Sequence, residues 1–111
     1  MTKAAKCAKD IMSFLDKHDL SDGVSIYYDK KRVRKVKDSW ITEYDLEPKQ
    51  FFPYAGDFLS MSFEGTFYDV VNYGFEHKWY AKLEKEFSSI IKKHGKYYEL
   101  GNAWNLSLYD L

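Results

Sequence analysis

The residues best suited to contacting a charged partner lie in one short basic run. Six of the eight positions from 30 to 37 are cationic, namely Lys30, Lys31, Arg32, Arg34, Lys35 and Lys37. Cations at this density can neutralise phosphates, and Tyr27, Tyr28 and Trp40 lie close enough in sequence for bases to stack on their rings. The run therefore predicts contact with RNA, DNA or an acidic protein surface. The alternative is that lysine on an edge strand only discourages the sheet from pairing with other chains.

A second group of residues combines aromatic rings with carboxylates. Eleven aromatic residues lie from Trp40 to Phe75, and set among them are Glu43, Asp45, Glu47, Asp57, Glu64 and Asp69. Tyr and Trp anchor protein interfaces, while acidic groups steer a basic partner into place. The predicted contact residues are Trp40, Tyr44, Asp45, Glu47 and Tyr54.

The phenylalanines of this region are expected to be buried, because Phe is among the residue types most often found in protein cores. They are Phe51, Phe52, Phe58, Phe63 and Phe67.

No residue pattern indicates catalysis, a metal or a cofactor. The three histidines, His18, His77 and His94, are scattered, and no two stand four residues apart beside another metal ligand. Cys7 lies on an apolar helical stripe, where a thiol usually behaves as a small hydrophobic group. Phosphate loops, dinucleotide fingerprints and nucleophile elbows are absent. We therefore expect a protein that is not an enzyme and that carries neither metal nor cofactor.

The composition predicts one folded domain, residues 1–111. Hydrophobic residues make up 45% of the chain and aromatic residues 19%, which is too apolar for a disordered protein. The single cysteine allows no disulfide within the chain and favours a reducing compartment. No apolar run reaches the roughly 18 residues of a membrane span. We therefore expect a cytoplasmic protein with no membrane contact.

Charge is neutral overall but unevenly distributed along the chain. Residues 1–37 hold ten Lys and Arg against five Asp and Glu (+5), residues 38–74 hold one against seven (−6), and residues 75–111 hold six against five (+1). A chain with one basic and one acidic region can present two kinds of electrostatic surface.

Two long amphipathic helices are predicted, at residues 2–18 and 76–94. In the second, Trp79, Tyr80, Leu83, Phe87, Ile90 and Ile91 share one face, while lysines occupy the opposite face. A broad face of this kind suits the surface of a β-sheet. A shorter helix, capped by Thr66, is expected just before residue 76.

The strands are predicted from alternation of apolar and polar residues. They span residues 24–29, 32–41, 57–64, 96–100 and 103–109. A bulge is expected between Val33 and Val36, and a single helical turn is expected at residues 48–52 of the connection 42–56. Whether Gly101 and Asn102 close a hairpin or bulge one long strand stays open. The predicted fold is α+β, with a mainly antiparallel sheet of four or five strands, two long helices packed on one face and one short helix.

Two segments resemble small proteins carried by phages and mobile elements of bacteria. They are FLSMSFEGTFYDVVNYG, residues 58–74, and YYELGNAWNLSLYDL, residues 97–111. Such proteins include the anti-CRISPR inhibitors, compact single-domain proteins that bind a Cas effector and block guide loading, target binding or cleavage. The neutral net charge departs from the strongly acidic inhibitors that mimic DNA, although a local acidic patch from residues 43–69 is compatible with the resemblance.

The function predicted from the sequence is stoichiometric binding to a protein partner, an enzyme that handles nucleic acid. The resemblance implies inhibition of a bacterial nucleoprotein nuclease such as a CRISPR effector. The first alternative is a module that binds RNA or DNA directly through the basic hairpin, residues 30–37. The second alternative is a small metal-dependent nuclease or toxin, in which Asp57, Glu64 and Asp69 would converge on Mg²⁺.

Overall fold

Three helices cover one face of a six-stranded antiparallel sheet. The computed structural model describes all 111 residues. The elements, in chain order, are α1 (Lys3–Lys17), β1 (Val24–Tyr28), β2 (Lys31–Val36), β3 (Ser39–Tyr44), a 3₁₀ turn (Pro48–Gln50), β4 (Ser60–Phe63), α2 (Gly65–Tyr73), α3 (Lys78–Lys93), β5 (Lys96–Asn102) and β6 (Asn105–Asp110). The α+β prediction, with its two long helices, one short helix and antiparallel sheet, is confirmed. The predicted count of four or five strands is too low.

The additional strand comes from the segment predicted as one strand at residues 32–41. This segment folds into β2 and β3, which pair antiparallel with Val36 opposite Ser39. The reversal falls at Lys37, whose φ of 55° lies in the left-handed region. Lysine rarely adopts this region, and the sequence has no glycine here that would indicate a turn. The expected bulge between Val33 and Val36 is therefore wrong, and a hairpin takes its place.

The last two strands form a hairpin that also contains a bulge. Asn102 pairs with Asn105, and the register shifts between Leu100 and Asn102. Gly101 occupies the shift, and a Cβ at this position would collide with the Asn105 side-chain oxygen. Of the two alternatives that the sequence left open, the hairpin is therefore the one observed, and the bulge lies within β5 instead of joining one long strand.

The order of strands across the sheet is β3-β2-β1-β4-β6-β5, so that β3 and β5 are its edges. One face is apolar and lies under the helices. Its buried side chains are Val24, Ile26, Val33, Met61, Phe63, Leu106 and Leu108. The opposite face, called here the open face, is mainly polar, and near its centre Ser60 and Ser107 share a hydrogen bond of 2.7 Å.

The core is centred on Phe87 of α3. Its ring lies 5.9 Å from Phe14 of α1, 5.2 Å from Phe67 of α2 and 5.6 Å from Tyr98 of β5, measured between ring centroids. Edge-on and tilted aromatic pairs at these distances add stability beyond the area they bury. One side chain thus joins all three helices to the sheet.

Two histidines link α1 to α3 at the protein surface. His18 follows the last turn of α1, and its Nε2 lies 2.9 Å from Glu86 of α3. His94 follows the last turn of α3, and its Nε2 lies 2.7 Å from Asp10 of α1. Each helix therefore ends beside a carboxylate of the other.

The start of α2 differs from the prediction. The helix begins at Gly65, directly after Glu64, and no side chain caps it. Gly65 has a φ of 63° and lies so close to the Asp22 carbonyl oxygen that a Cβ would be 2.8 Å from it. The approach of this backbone to the turn before β1, rather than a cap by Thr66, fixes where the helix starts.

None of the three helices combines the length and the apolar character needed to cross a membrane.

The position of Phe87 predicts a large loss of stability on truncation. Phe87→Ala should lower the free energy of unfolding by about 3 to 5 kcal/mol, because it leaves a cavity between three helices and the sheet. Trp79→Ala, on the same helix but half-exposed, is the control and should cost less than about 1 kcal/mol. Urea unfolding measures both values. A loss below about 1 kcal/mol for Phe87→Ala would contradict this account of the core.

Candidate functional site

The basic run divides between the two faces of the sheet. Side chains alternate along a strand, so Arg32 and Arg34 of β2 project onto the open face. Lys35 projects onto the helix face, where it meets Asp16 of α1. Lys30 and Lys37 occupy the turns at the two ends of β2. The six cations that are adjacent in sequence therefore do not form one patch.

The two arginines of the open face share a single carboxylate, so that the three side chains together keep a net charge of +1. Arg32 and Arg34 donate from their Nε atoms to Oε1 of Glu43, over 2.9 and 2.8 Å. The hydrogen bonds from Arg34 and then Arg32 hold the pKa of Glu43 below its usual range. The Arg32 guanidinium also lies 5.2 Å from the centre of the Phe51 ring. These cations serve the structure of the chain itself.

Lys35 and Trp40 are held together by Asp16 on the helix face. Lys35 Nζ lies 2.7 Å from one Asp16 oxygen, and the Trp40 indole N–H donates to the other over 2.9 Å. Burial tends to raise the pKa of Asp16, but the hydrogen bonds from Lys35 and Trp40 outweigh it and the pKa is lowered. Trp40 also packs against the core. Its ring is therefore only partly exposed, unlike those of Tyr44 and Tyr54.

Three cations of the run make no ion pair within the chain: Lys30, Lys31 and Lys37. Lys31 Nζ lies 5.0 Å from the centre of the Tyr28 ring. Lys30 and Lys37 are separated by the length of β2, about 20 Å at the usual rise of a strand. Phosphates of one short nucleic-acid segment would have to span that distance to meet both.

The segment Tyr44 to Asp57, called here the aromatic-acidic connection, presents rings and carboxylates to solvent. Tyr44 is 72% exposed, Tyr54 71% and Phe51 44%. The acidic side chains of the segment, Asp45, Glu47 and Asp57, are exposed as well. Exposure of Tyr44 and Tyr54 agrees with the sequence prediction. The prediction that Phe51 is buried is wrong.

Phe52 anchors the aromatic-acidic connection to the open face. It is fully buried, with its ring 5.5 Å from Tyr27 of β1 and 5.8 Å from Trp104 of the last hairpin. Farther along, the Gly56 N–H donates to the Ser107 hydroxyl over 2.9 Å. The connection thus crosses the sheet from the β3 edge towards β6, and the contacts of Phe52 and Gly56 hold it against the open face.

The first half of the connection is fixed by local hydrogen bonds. The Leu46 N–H donates to the Lys30 carbonyl over 3.1 Å. The single helical turn predicted around residue 48 is confirmed at Pro48–Gln50, and a reciprocal pair of hydrogen bonds between Glu47 and Gln50 closes its start. Tyr44 and Tyr54 therefore project from an ordered support.

A second group of exposed rings lies between α2 and α3, where the sequence did not indicate one. Phe75 is largely exposed, and Tyr73 and Trp79 are about half-exposed. Trp79 was predicted to lie on the buried face of the helix. It stands in the first turn of α3, where its ring contacts Tyr80, 5.4 Å away, rather than the sheet.

The groups that could support metal or thiol chemistry are separated or buried. No three His, Cys, Asp or Glu side chains lie close enough together to hold a metal ion. Cys7 is fully buried, and burial raises the pKa of its thiol to about 11. The thiol is therefore protonated at neutral pH.

The double ion pair of Glu43 predicts a pH-dependent contribution to stability. Glu43→Gln should lower the free energy of unfolding at neutral pH by about 1 to 2 kcal/mol, after allowance for solvent screening. Because the folded-state pKa is lowered, this contribution is present above the unfolded pKa of about 4.3 and is lost as pH falls through the folded pKa. Urea unfolding of both proteins between about pH 7 and pH 3 should show the two stabilities converging.

Glu76→Gln is the matched control, since Glu76 is exposed and its side chain makes no ion pair. Equal stability of Glu43→Gln and wild type at neutral pH would mean that the two arginine contacts contribute nothing measurable.

No model of a protein family, no characterised protein and no solved structure matches this chain.

Proposed function

We propose that this protein is a non-enzymatic binding protein that docks onto a basic surface of a partner that handles nucleic acid. The aromatic-acidic connection is the contact surface. The observation that carries the proposal is the exposure of two tyrosines beside carboxylates of an ordered segment: Tyr54, at 71%, over the open face, and Tyr44, at 72%, at the β3 edge on the opposite face of the sheet.

Tyrosines in this setting are suited to be binding anchors. A tyrosine combines a large apolar ring with a hydroxyl that stays hydrogen-bonded at a wet boundary. Anchors of this kind supply most of the binding energy of an interface. The support under Tyr44 and Tyr54 matters because an ordered surface loses less conformational entropy on binding than a mobile one.

The charges of the connection favour a basic partner. Asp45 and Glu47 make no ion pair within the chain, while the only ion pair of the segment joins Lys49 to Asp57 over 3.9 Å. With three acidic residues against one lysine, the segment carries a net charge of −2. Proteins that bind nucleic acid carry Lys and Arg on the surface that meets phosphates. Carboxylates can occupy the same surface and exclude the nucleic acid.

In its more specific form, the proposal is that the protein is an inhibitor encoded by a mobile element, and that it binds a bacterial nucleoprotein nuclease such as a CRISPR effector. Binding would block assembly of the effector or its engagement of nucleic acid. The resemblance of residues 58–74 and 97–111 to phage-borne proteins supports this form, as does the acidic character of the proposed surface.

Inhibition of purified CRISPR effector ribonucleoproteins tests the specific form. Wild-type protein should form a stoichiometric complex with a susceptible effector and reduce its cleavage of labelled DNA. Tyr44→Ala and Tyr54→Ala should each weaken the complex about 30-fold or more, as expected when a hot-spot side chain worth about 2 kcal/mol is removed. Titration calorimetry measures the affinity, and the cleavage assay measures the inhibition.

Tyr73→Ala is the matched control, because Tyr73 is an exposed tyrosine outside the aromatic-acidic connection. It should bind as wild type does. Unchanged binding by Tyr44→Ala and Tyr54→Ala would place the contact surface elsewhere. The specific form is contradicted if no effector is inhibited and a pull-down from bacterial lysate recovers no nuclease.

Direct binding of nucleic acid is the second candidate, and it is favoured by the three lysines of the run that have no carboxylate partner. If it holds, wild-type protein should bind labelled RNA or DNA with an affinity that falls steeply between about 50 and 200 mM salt. The triple variant Lys30→Glu, Lys31→Glu, Lys37→Glu should then lose binding. Reversal of Lys78, Lys82 and Lys85 of α3 makes the same change in net charge and is the control.

Fluorescence anisotropy separates the two candidates. Under the main proposal, wild-type protein shows no salt-dependent binding to nucleic acid, and the triple variant keeps its protein partner. Labelled nucleic acid incubated with purified protein and Mg²⁺ should also stay intact. Cleavage in that sample would instead favour the small metal-dependent nuclease.

A further inference from the structure

We propose that the free edge of β5 pairs with β5 of a second copy of this chain and forms a symmetric dimer. β5 ends the sheet and has β6 as its only neighbour. An unpaired edge strand offers a row of backbone donors and acceptors to another strand. The charged residues of α3 beside this edge, Glu84 and Lys92, can pair with those of a second copy.

The backbone of β5 presents every second residue to its free side. The Leu111 N–H donates to the Gly95 carbonyl over 3.0 Å, and the register then places Tyr97 opposite Tyr109 and Glu99 opposite Ser107. In an antiparallel pair, alternate residues bond to the neighbouring strand and the others point away. The free edge is therefore formed by the backbone N–H and C=O groups of Lys96, Tyr98 and Leu100.

A groove runs along this edge between β5 and α3. Its volume is about 640 Å³, which is room for several side chains. The apolar part of its lining comes from Ile91, Tyr97, Tyr98, Leu100 and Leu111. Leu100 is 40% exposed, so the pairing of a further strand would remove apolar surface from water as well as satisfy backbone groups.

The groove is lined by four charged residues: Lys96 and Glu99 of β5, of which Lys96 pairs with Asp110, and Glu84 and Lys92 of one stripe of α3. Glu84, Ser88 and Lys92 all line the groove and stand four residues apart, so they lie above one another on the helix. The stripe is acidic at one end, small and neutral in the middle, and basic at the other end. Rotation of a copy by 180° about Ser88 would bring each Glu84 next to the partner's Lys92.

Antiparallel pairing of β5 with its copy requires a two-fold axis of the same kind. An antiparallel pair centred on Tyr98 places Tyr98 opposite its copy and Lys96 opposite the partner's Leu100. These are the residues whose backbone groups are free. α3 and β5 are joined through the tight turn at Gly95 and run in opposite directions, with Lys92 and Lys96 at the same end of the groove.

Counted from the Gly95 turn, the centre of the strand and the centre of the stripe are at similar distances along the groove, and the Tyr98 hydroxyl donates across it to Glu84 over 2.8 Å. From Lys96 to Tyr98 the strand rises about 6.6 Å, and from Lys92 back to Ser88 the helix rises about 6.0 Å. A single two-fold axis can therefore satisfy the backbone of β5 and the charges of α3 together. An unrelated peptide in the groove would have no reason to match both, and this favours a second copy as the occupant. The bulge after Leu100 limits the paired segment to residues 96–100.

Light scattering after size exclusion tests the dimer. Wild-type protein at about 100 µM, a concentration that populates any dimer with a micromolar dissociation constant, should have twice the chain mass of 13.2 kDa. Lys92→Glu places two carboxylates together at both ends of the interface and should weaken the dimer at least about tenfold. Glu84→Lys should weaken it in the same way. Lys82→Glu, on another side of α3, is the control and should leave the mass unchanged.

Mixing the two single variants gives the sharpest outcome. Lys92→Glu and Glu84→Lys each repel their own copy but complement one another, so an equimolar mixture should recover the dimer mass. Circular dichroism shows that each variant is folded. In wild-type protein, hydrogen exchange at the amides of Lys96, Tyr98 and Leu100 should slow as concentration rises, which is a readout that depends on no substitution.

Three outcomes would overturn the proposal. If wild-type protein has the mass of a single chain at about 100 µM, β5 does not pair with a second copy. The groove would then be open to a strand of another protein. A dimer that withstands Lys92→Glu, or a mixture that stays monomeric, would show that the stripe of α3 is not at the interface. Exchange at the three amides that does not depend on concentration would exclude β5 as the pairing strand.

Discussion

The double ion pair of Glu43 with Arg32 and Arg34 is the interaction on which the functional surface depends. It ties β2 to the edge strand β3 and offsets one of the two positive charges of these arginines on the open face. It also holds the Arg32 guanidinium over the Phe51 ring, in the middle of the segment that crosses the sheet. With Lys35 bound to Asp16 on the other face, three of the six cations of the basic run form ion pairs within the chain, with two carboxylates. The aromatic-acidic connection itself carries a net charge of −2.

The elements that the sequence predicted well are those that local periodicity determines. The stripe of α3 that contains Leu83, Phe87 and Ile91 is buried as its spacing requires, and the alternation of β4 places Met61 and Phe63 under the helices. The β2–β3 turn could not be predicted in the same way. Its left-handed residue is Lys37, and the pairing of the two strands, rather than a local preference of lysine, stabilises that conformation.

Exposure within the candidate surface depended on contacts between residues distant in sequence. Tyr44 ends β3 and Tyr54 stands in irregular chain. Neither belongs to an apolar periodicity, and this was a sufficient sign of exposure. The same reasoning predicted Trp40 as a contact residue, but its indole N–H donates to Asp16, 24 residues away in the sequence. Phe51 and Phe52 are adjacent and chemically identical, yet only Phe52 enters the space between Tyr27 and Trp104. No pattern within the segment distinguishes them, because the strands beneath decide which ring is enclosed.

The two proposed surfaces are related through the geometry of the sheet. An antiparallel pair centred on Tyr98 has its two-fold axis perpendicular to the sheet, so both open faces point in the same direction. Both copies of the aromatic-acidic connection would then face one side of a continuous twelve-stranded sheet. A partner with two basic sites on one surface would meet both at once, and the second contact would form at a high effective concentration. Modest affinity at each connection would then be sufficient for tight binding, since the dimer fixes the distance between them.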